Sequence, residues 1–233
     1  MKKVLSIALI ILLVGALFVS CGKKEEAAKV TPEAPKATVP AATPVTPAPA
    51  AVTPAAEKAV FRISNGAEPE SLDPHQIQGV PEHRIYETIF EGLIIYDPVT
   101  ADGIPGLAES WTVSDDGYQY TFKLRDAVWS DGVKITAQTV VDSWLRGLDP
   151  ATASPYAWFP AMFLKGAEEY NEGLAGKEVV GIRALDEKTF QMDLVGPLPY
   201  AIGALSHYAF AVVPLHAIKE FGDKWTLPEN FVG

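Results

Sequence analysis

Carboxylates and imidazoles gather just beyond residue 60: Glu68, Glu70 and Asp73, then His75 and His83. Two carboxylates facing each other across a bond can act as general acid and base in hydrolysis. These three acids are spaced along a loop, which does not define a facing pair, so a carboxylate hydrolase ranks lowest among the readings. His75 and His83 stand on either side of Pro81 and a helix boundary, without the HExxH or CxxC spacing that gathers metal ligands. Trp129-Ser130-Asp131-Gly132 holds residue types found in active sites, but the order reads as a turn beside a core tryptophan. The chain carries neither a GxSxG elbow nor a Walker A loop. It is read as a non-enzyme, with no cofactor and no metal expected.

The elements that must position these residues centre on 105–147. Tyr118, Tyr120, Phe122 and Leu124 alternate with Gln119, Thr121, Lys123 and Arg125, the period of a half-buried strand. Asp115-Asp116-Gly117 supplies a turn back to a strand at 110–113, making a hairpin. A helix follows, with Thr136 as N-cap, a stripe of Val140, Val141, Trp144 and Leu145, and Gly147 as its C′ residue. Trp111, Trp129 and Trp144 read as core. Before this stretch, 60–64 reads as a strand and Pro81 as a helix start, with Ile85, Tyr86, Ile89, Phe90 and Leu93 on one face. A further strand is expected at 93–96. After it come an ordered loop at 149–160, a short helix or turn at 167–173 and a second hairpin, 179–184 with 189–194. Helical turns are expected at 199–207 and 215–221. Paired strands with helices between them give a mixed α/β (α+β) architecture.

Formal charge is −10 and the isoelectric point near 4.9. An acidic chain without a basic cluster is a poor match for nucleic acid, where phosphate contacts dominate affinity. The single cysteine, Cys21, excludes an intrachain disulfide. Met1-Lys2-Lys3 followed by an apolar run is a secretory signal, assigned to residues 1–20. An uncleaved membrane anchor is the other reading, since the run is almost long enough to span. Residues 31–56 hold seven prolines and nine alanines. That composition cannot bury a core, and residues 21–58 are expected to form a disordered, partly polyproline-II tether.

Several blocks together carry a family resemblance. They are SLDPHQIQGVPE at 71–82, FEGLI at 90–94, the 105–147 stretch, DPATASPYA at 149–157, ALDEKTFQMDL at 184–194 and FGDKW at 221–225. This order resembles the peptide-binding subunits of ABC importers, solute-binding family 5, over essentially all of 60–233. The residues around Ser20-Cys21 resemble a bacterial lipobox, which implies lipidation (palmitate) of Cys21 and export to the membrane face. The resemblance implies a periplasmic-binding-protein type II-like lobe built from 59–90 and 215–233, with a smaller inserted α+β domain at 91–214. Relatives continue into a second large lobe, so the reading frame is expected to extend past Gly233. In that family a ligand backbone is held as an added strand. The implied ligand-binding residues are the strand-like edge Gln78, Gly79 and Val80, with Tyr156 and His207. Residues alone would make that edge the loop before the Pro81 helix, Tyr156 a core tyrosine and His207 a structural histidine. Thr139 stands where the family more often has aspartate, so the helix capping box is expected to be incomplete.

The expected function is a lipid-anchored extracytoplasmic receptor that binds short peptides and delivers them to separate ABC permease and ATPase subunits. A monomer is expected, touching the membrane only through its lipid. Dipeptides, nickel chelates or sugars are the alternative ligands within the family. A surface structural or adhesive lipoprotein on the same scaffold is the alternative of a different class.

Overall fold

The alternating residues near 120 do become the middle of a sheet, and one helix closes its apolar face. The computed structural model describes residues 60–233. In chain order these form α1 (Val80–Ile89), β1 (Ile94–Tyr96), β2 (Gly103–Pro105), β3 (Ala108–Val113) and β4 (Gln119–Leu124). Then follow α2 (Ala137–Leu148), α3 (Trp158–Phe163), α4 (Ala167–Asn171), β5 (Ile182–Asp186), β6 (Thr189–Asp193), α5 (Ala201–Ala204) and α6 (Leu215–Phe221). Cys21, the expected signal and the expected tether lie outside the described residues.

β3, β4, β6 and β5 pair in that order, every neighbour antiparallel, and β1 pairs with β2. Phe122 faces Phe190 and Tyr120 faces Met192 across the β4–β6 ladder. All four are buried, and α2 lays Val140, Val141, Trp144 and Leu148 over them. Trp144 meets Phe190 edge-on at 4.9 Å and Phe210 at 5.0 Å. Such aromatic pairs add roughly 0.5–1.5 kcal/mol beyond the area they bury. The opposite face is polar: Gln191 donates to Gln119 and Thr121, both at 2.9 Å, and Arg183 pairs with Asp193 at 2.8 Å. Tyr118 falls just outside the strand and is half exposed.

α2 also reaches the far end of the chain. Trp144 Nε1 donates to the Phe210 carbonyl at 2.9 Å, and Ser143 Oγ accepts from the Val213 amide at 3.0 Å. The irregular segment 211–213 is fully buried, and these side-chain bonds satisfy polar groups that no ladder serves.

Several expectations need correction. Thr139 does close the capping box: the Thr136 amide donates to Thr139 Oγ1 at 3.1 Å, while the Thr139 amide donates to Thr136 Oγ1 at 3.3 Å. A hydroxyl accepts that hydrogen bond as a carboxylate would. Gly147 lies inside α2, whose C-cap is Asp149. It is small for a different reason, since a Cβ there would come within 3.3 Å of the His75 ring. Residues 60–64 are not a strand. Val60, Phe61 and Ile63 are exposed, and no strand among the described residues lies alongside to pair with them. The 149–160 loop contains a 3-10 turn, Pro150–Thr152, and the start of α3.

Thr136→Ala removes the cap from the helix that closes the core. It is expected to lower stability by about 1 kcal/mol, read as a lower urea midpoint at unchanged m-value.

Candidate functional site

The site is built outward from Asp73. Its Oδ1 accepts from the His75 amide at 3.0 Å, which caps the 3-10 turn Pro74–Gln76. Arg146, in the last turn of α2, grips the same carboxylate with two nitrogens: Nη2 to Oδ2 at 2.6 Å and Nη1 to Oδ1 at 3.1 Å. Nη1 also contacts His75 Nδ1 at 2.8 Å, and Trp225 Nε1 donates to Asp73 Oδ2 at 3.3 Å. Three distant stretches of chain therefore meet on one largely buried carboxylate. Burial opposes its ionisation, but the hydrogen bonds and charge of Arg146 outweigh that, and the carboxyl lies below its ordinary range. Burial, then the charge of Arg146, takes the fully buried His75 down to about 4. Arg146 can only donate, so Nδ1 accepts and the proton sits on Nε2. That Nε2 is directed towards the Ala211 carbonyl without completing a hydrogen bond.

Directly after this anchored turn the backbone is extended, at Ile77 (φ −95°, ψ 157°) and again at Gly79 (φ −117°, ψ 166°). The Gly79 carbonyl accepts from His83 at 3.1 Å. Among the described residues, neither the amide nor the carbonyl of Gln78, nor the Gly79 amide, has a hydrogen-bond partner. Val80, expected as part of the same edge, is instead the first residue of α1, with Pro81 in the first turn. Glycine at 79 has a specific cause. The buried Glu82 carboxylate, whose Oε1 accepts from the Glu70 amide at 2.9 Å, occupies the place a Cβ on residue 79 would need. Glu82 Oε2 is buried with no partner.

Tyr156 and His207 come from separate segments and meet with ring centroids 5.2 Å apart. Tyr208 joins them, 5.2 Å from Tyr156 and 4.1 Å from His207, and touches His83 of α1 at 5.6 Å. Gln76 Nε2 donates to the Thr152 carbonyl at 2.5 Å, which ties the anchored turn to the loop leading into Tyr156. His207 caps the 3-10 turn Tyr208–Phe210, its Nδ1 accepting from the Ala209 amide at 3.1 Å. Burial, with the nearby His83, holds it down at about 4, so at neutral pH it is an uncharged ring with Nε2–H as donor. Burial first, then hydrogen bonding to Tyr156, raises the Tyr208 phenol above its ordinary value. The wall is rich in rings, and at its edge His83 meets the Glu87 carboxylate at 3.3 Å. A cleft of about 530 Å³ at the other end of α1, between Tyr86, Phe90, Tyr96 and Ser206, contains none of these residues.

The imagined triplet Glu68, Glu70 and Asp73 is not a facing set: Asp73 is committed to Arg146, and Glu70 contributes its backbone amide to Glu82. Asp131 sits in a turn, paired with His216 at 2.6 Å. Sequence reasoning missed Arg146, Trp225 and Tyr208. Arg146 and Trp225 act through Asp73, more than 70 residues away, and Tyr208 joins its neighbour His207 to the distant Tyr156 and His83.

The family model described as "Bacterial extracellular solute-binding proteins, family 5 Middle" matches residues 103–233, more than half of the chain. The chain belongs to this family of solute-binding proteins. It is 45% identical over 179 residues to the periplasmic oligopeptide-binding protein OppA of Escherichia coli, covering 76% of this chain and 33% of that protein. It is 39% identical over 168 residues to the periplasmic murein peptide-binding protein MppA of Escherichia coli, covering 71% of this chain and 31% of that protein. Among solved structures, an oligopeptide-binding protein (OppAIV) of Borrelia burgdorferi matches with TM-score 0.69 and 46% identity over 71% of this chain and 33% of that one. Haemophilus influenzae OppA, solved in complex with RPPGFSPFR, matches with TM-score 0.68 and 38% identity over 72% and 33%. The mixed α+β fold is thus that of the type II periplasmic binding proteins, and the chain spans about a third of the length of the relatives it matches.

The lowered pKa of His75 fixes a sign. The unfolded chain takes up a proton near 6.5 while the folded one resists until about 4. Stability contributed by this group is intact above 6.5 and lost as pH falls from there to about 4, by on the order of 3 kcal/mol. His207 acts in the same direction. Urea titrations across that range should show stability falling with decreasing pH, and His75→Asn should remove about one proton from the slope.

Proposed function

We propose that this chain forms one side of a peptide-binding cleft in an extracytoplasmic receptor that serves an ABC importer. The observation that carries the reading is the stretch at Gln78 and Gly79, whose two amides and Gln78 carbonyl have no partner among the described residues, next to the turn that Gln76 ties to the loop leading into Tyr156. A peptide laid against it exchanges amide hydrogen bonds that are the same for every sequence, so affinity arises without side-chain selection. Tyr156 offers a ring face and a hydroxyl, His207 an uncharged N–H, and neither imposes a charge on the ligand. Val80, half out of the first turn of α1, adds an apolar contact beside the edge.

In this reading residues 59–90 and 215–233 belong to one lobe and 91–214 to a smaller domain. Capture proceeds by closure of a further lobe over the bound peptide, stabilised by the ligand's higher affinity for the closed state. Lipidation at Cys21 holds the receptor at the membrane, residues 21–58 act as a tether, and separate permease and ATPase subunits receive the cargo. Names of the relatives support the peptide as cargo: they include oligopeptide-, murein peptide- and dipeptide-binding proteins.

Calorimetry of the full-length receptor with tri- to pentapeptides of unrelated sequence tests this. Affinities should agree within about tenfold across sequences. Gly79→Val, which drives a side chain into Glu82 and displaces the edge, should weaken all of them together by at least tenfold. Tight binding of a different solute, with no peptide binding, would overturn the assignment.

A further inference from the structure

The ring contacts do not stop at Tyr156. Trp158 lies 5.7 Å beyond it, with the two planes inclined by 31°, and Phe159 packs edge-on against Trp158 at 5.6 Å while touching His207 at 4.8 Å. Four of the five tryptophans are buried or partly buried, whereas Trp158 is 53% exposed. Met162, one turn further along α3 and on the same side of it, is 62% exposed. The steps from His83 through Tyr208 and Tyr156 to Trp158 are 5.6, 5.2 and 5.7 Å. From the His83 ring, whose amide donates to the Gly79 carbonyl, Trp158 is therefore within the reach of about five residues of extended chain. At the far end of the row His83 contacts the Glu87 carboxylate at 3.3 Å, and the Ala209 amide donating to His207 Nδ1 leaves that imidazole uncharged.

We propose that Trp158 and Met162 form an aromatic subsite that takes a flat, uncharged side chain, Phe, Tyr or Trp, at one position of the bound peptide. The proposal rests on the peptide reading and adds a side-chain preference to it. Trp158 meets Tyr156 and Phe159 on its inner side and leaves about half of its surface open, unlike the buried and partly buried rings behind it. A ligand ring supplies the missing neighbour, and offset or edge-on ring pairs gain beyond simple burial. The Met162 thioether adds a soft, adaptable contact at the ring edge. A charged side chain would find no charged group in Trp158, Phe159 or Met162; the carboxylate on this row, Glu87 against His83, stands at its other end.

The test uses the full-length receptor and tetrapeptides of alanine in which Phe, cyclohexylalanine or Arg is moved through the four positions. Calorimetry gives the affinities, and tryptophan emission reports whether Trp158 becomes covered. At one position Phe should bind roughly two- to tenfold more tightly than cyclohexylalanine, with a change in emission. Trp158→Ala should abolish both the ratio and the emission change while leaving the all-alanine peptide's affinity intact, and Trp158→Phe should retain part of the ratio. A ratio that survives Trp158→Ala, or the absence of any Phe preference, overturns the subsite and leaves the peptide receptor standing. A preference for Arg that depends on Trp158 overturns the uncharged assignment. Failure of every peptide to bind overturns the receptor reading, and the subsite with it.

Discussion

The arrangement depends on a buried carboxylate that three parts of the chain share. Asp73 caps its own turn, receives a two-pronged grip from Arg146 and accepts a bond from Trp225. A pair this enclosed is not chiefly a source of net stability, because removing both charges from water offsets much of their attraction. Its consequence is geometric. Loss of either partner would strand a buried charge, so the turn at 74–76 can sit in only one place on α2. The extended residues that follow inherit that position. His75 beneath the pair, packed against Gly147, completes the fixing from below.

From this anchor the properties of the site follow without further machinery. α1 must begin at Val80 because Pro81 suits a first helical turn and no side chain from residue 79 intrudes on Glu82. Helix initiation turns the chain away, leaving Gln78 with nothing to pair with among the described residues. On the neighbouring side, α2 holds the 208–213 segment through Trp144 and Ser143, and that segment presents His207 and Tyr208 to Tyr156. In the proposed reading, free amides and ring faces suit a ligand whose common feature is its main chain.

Local patterns carried most of the scaffold. Alternation at 118–125 and the DDG turn located the hairpin, and Thr136 and the Val140–Trp144 stripe located α2, because each of those signals is decided by near neighbours. Residues 60–64 read as a strand by composition yet stay unpaired, since strand formation needs a partner that composition cannot supply. Gly147 shows the converse: a glycine near a helix end looked like a terminator, but the contact that requires it comes from His75, 72 positions earlier. Thr139 was judged by the family's preferred residue, whereas the hydrogen bond asks only for an acceptor. In the site itself, Gln78, Gly79, Val80, Tyr156 and His207 came from resemblance and not from periodicity. Arg146, Trp225 and Tyr208 were illegible because their contacts exist only in three dimensions.

The central claim is that the backbone at Gln78 and Gly79 is held open by its anchored neighbours until another chain pairs with it. Amide hydrogen exchange at these two residues addresses it most directly. Without peptide, both amides should exchange rapidly although the flanking turn and α1 are protected, and saturating peptide should slow them by at least tenfold. Slow exchange in the unliganded protein, or rates unmoved by a bound peptide, would contradict the account.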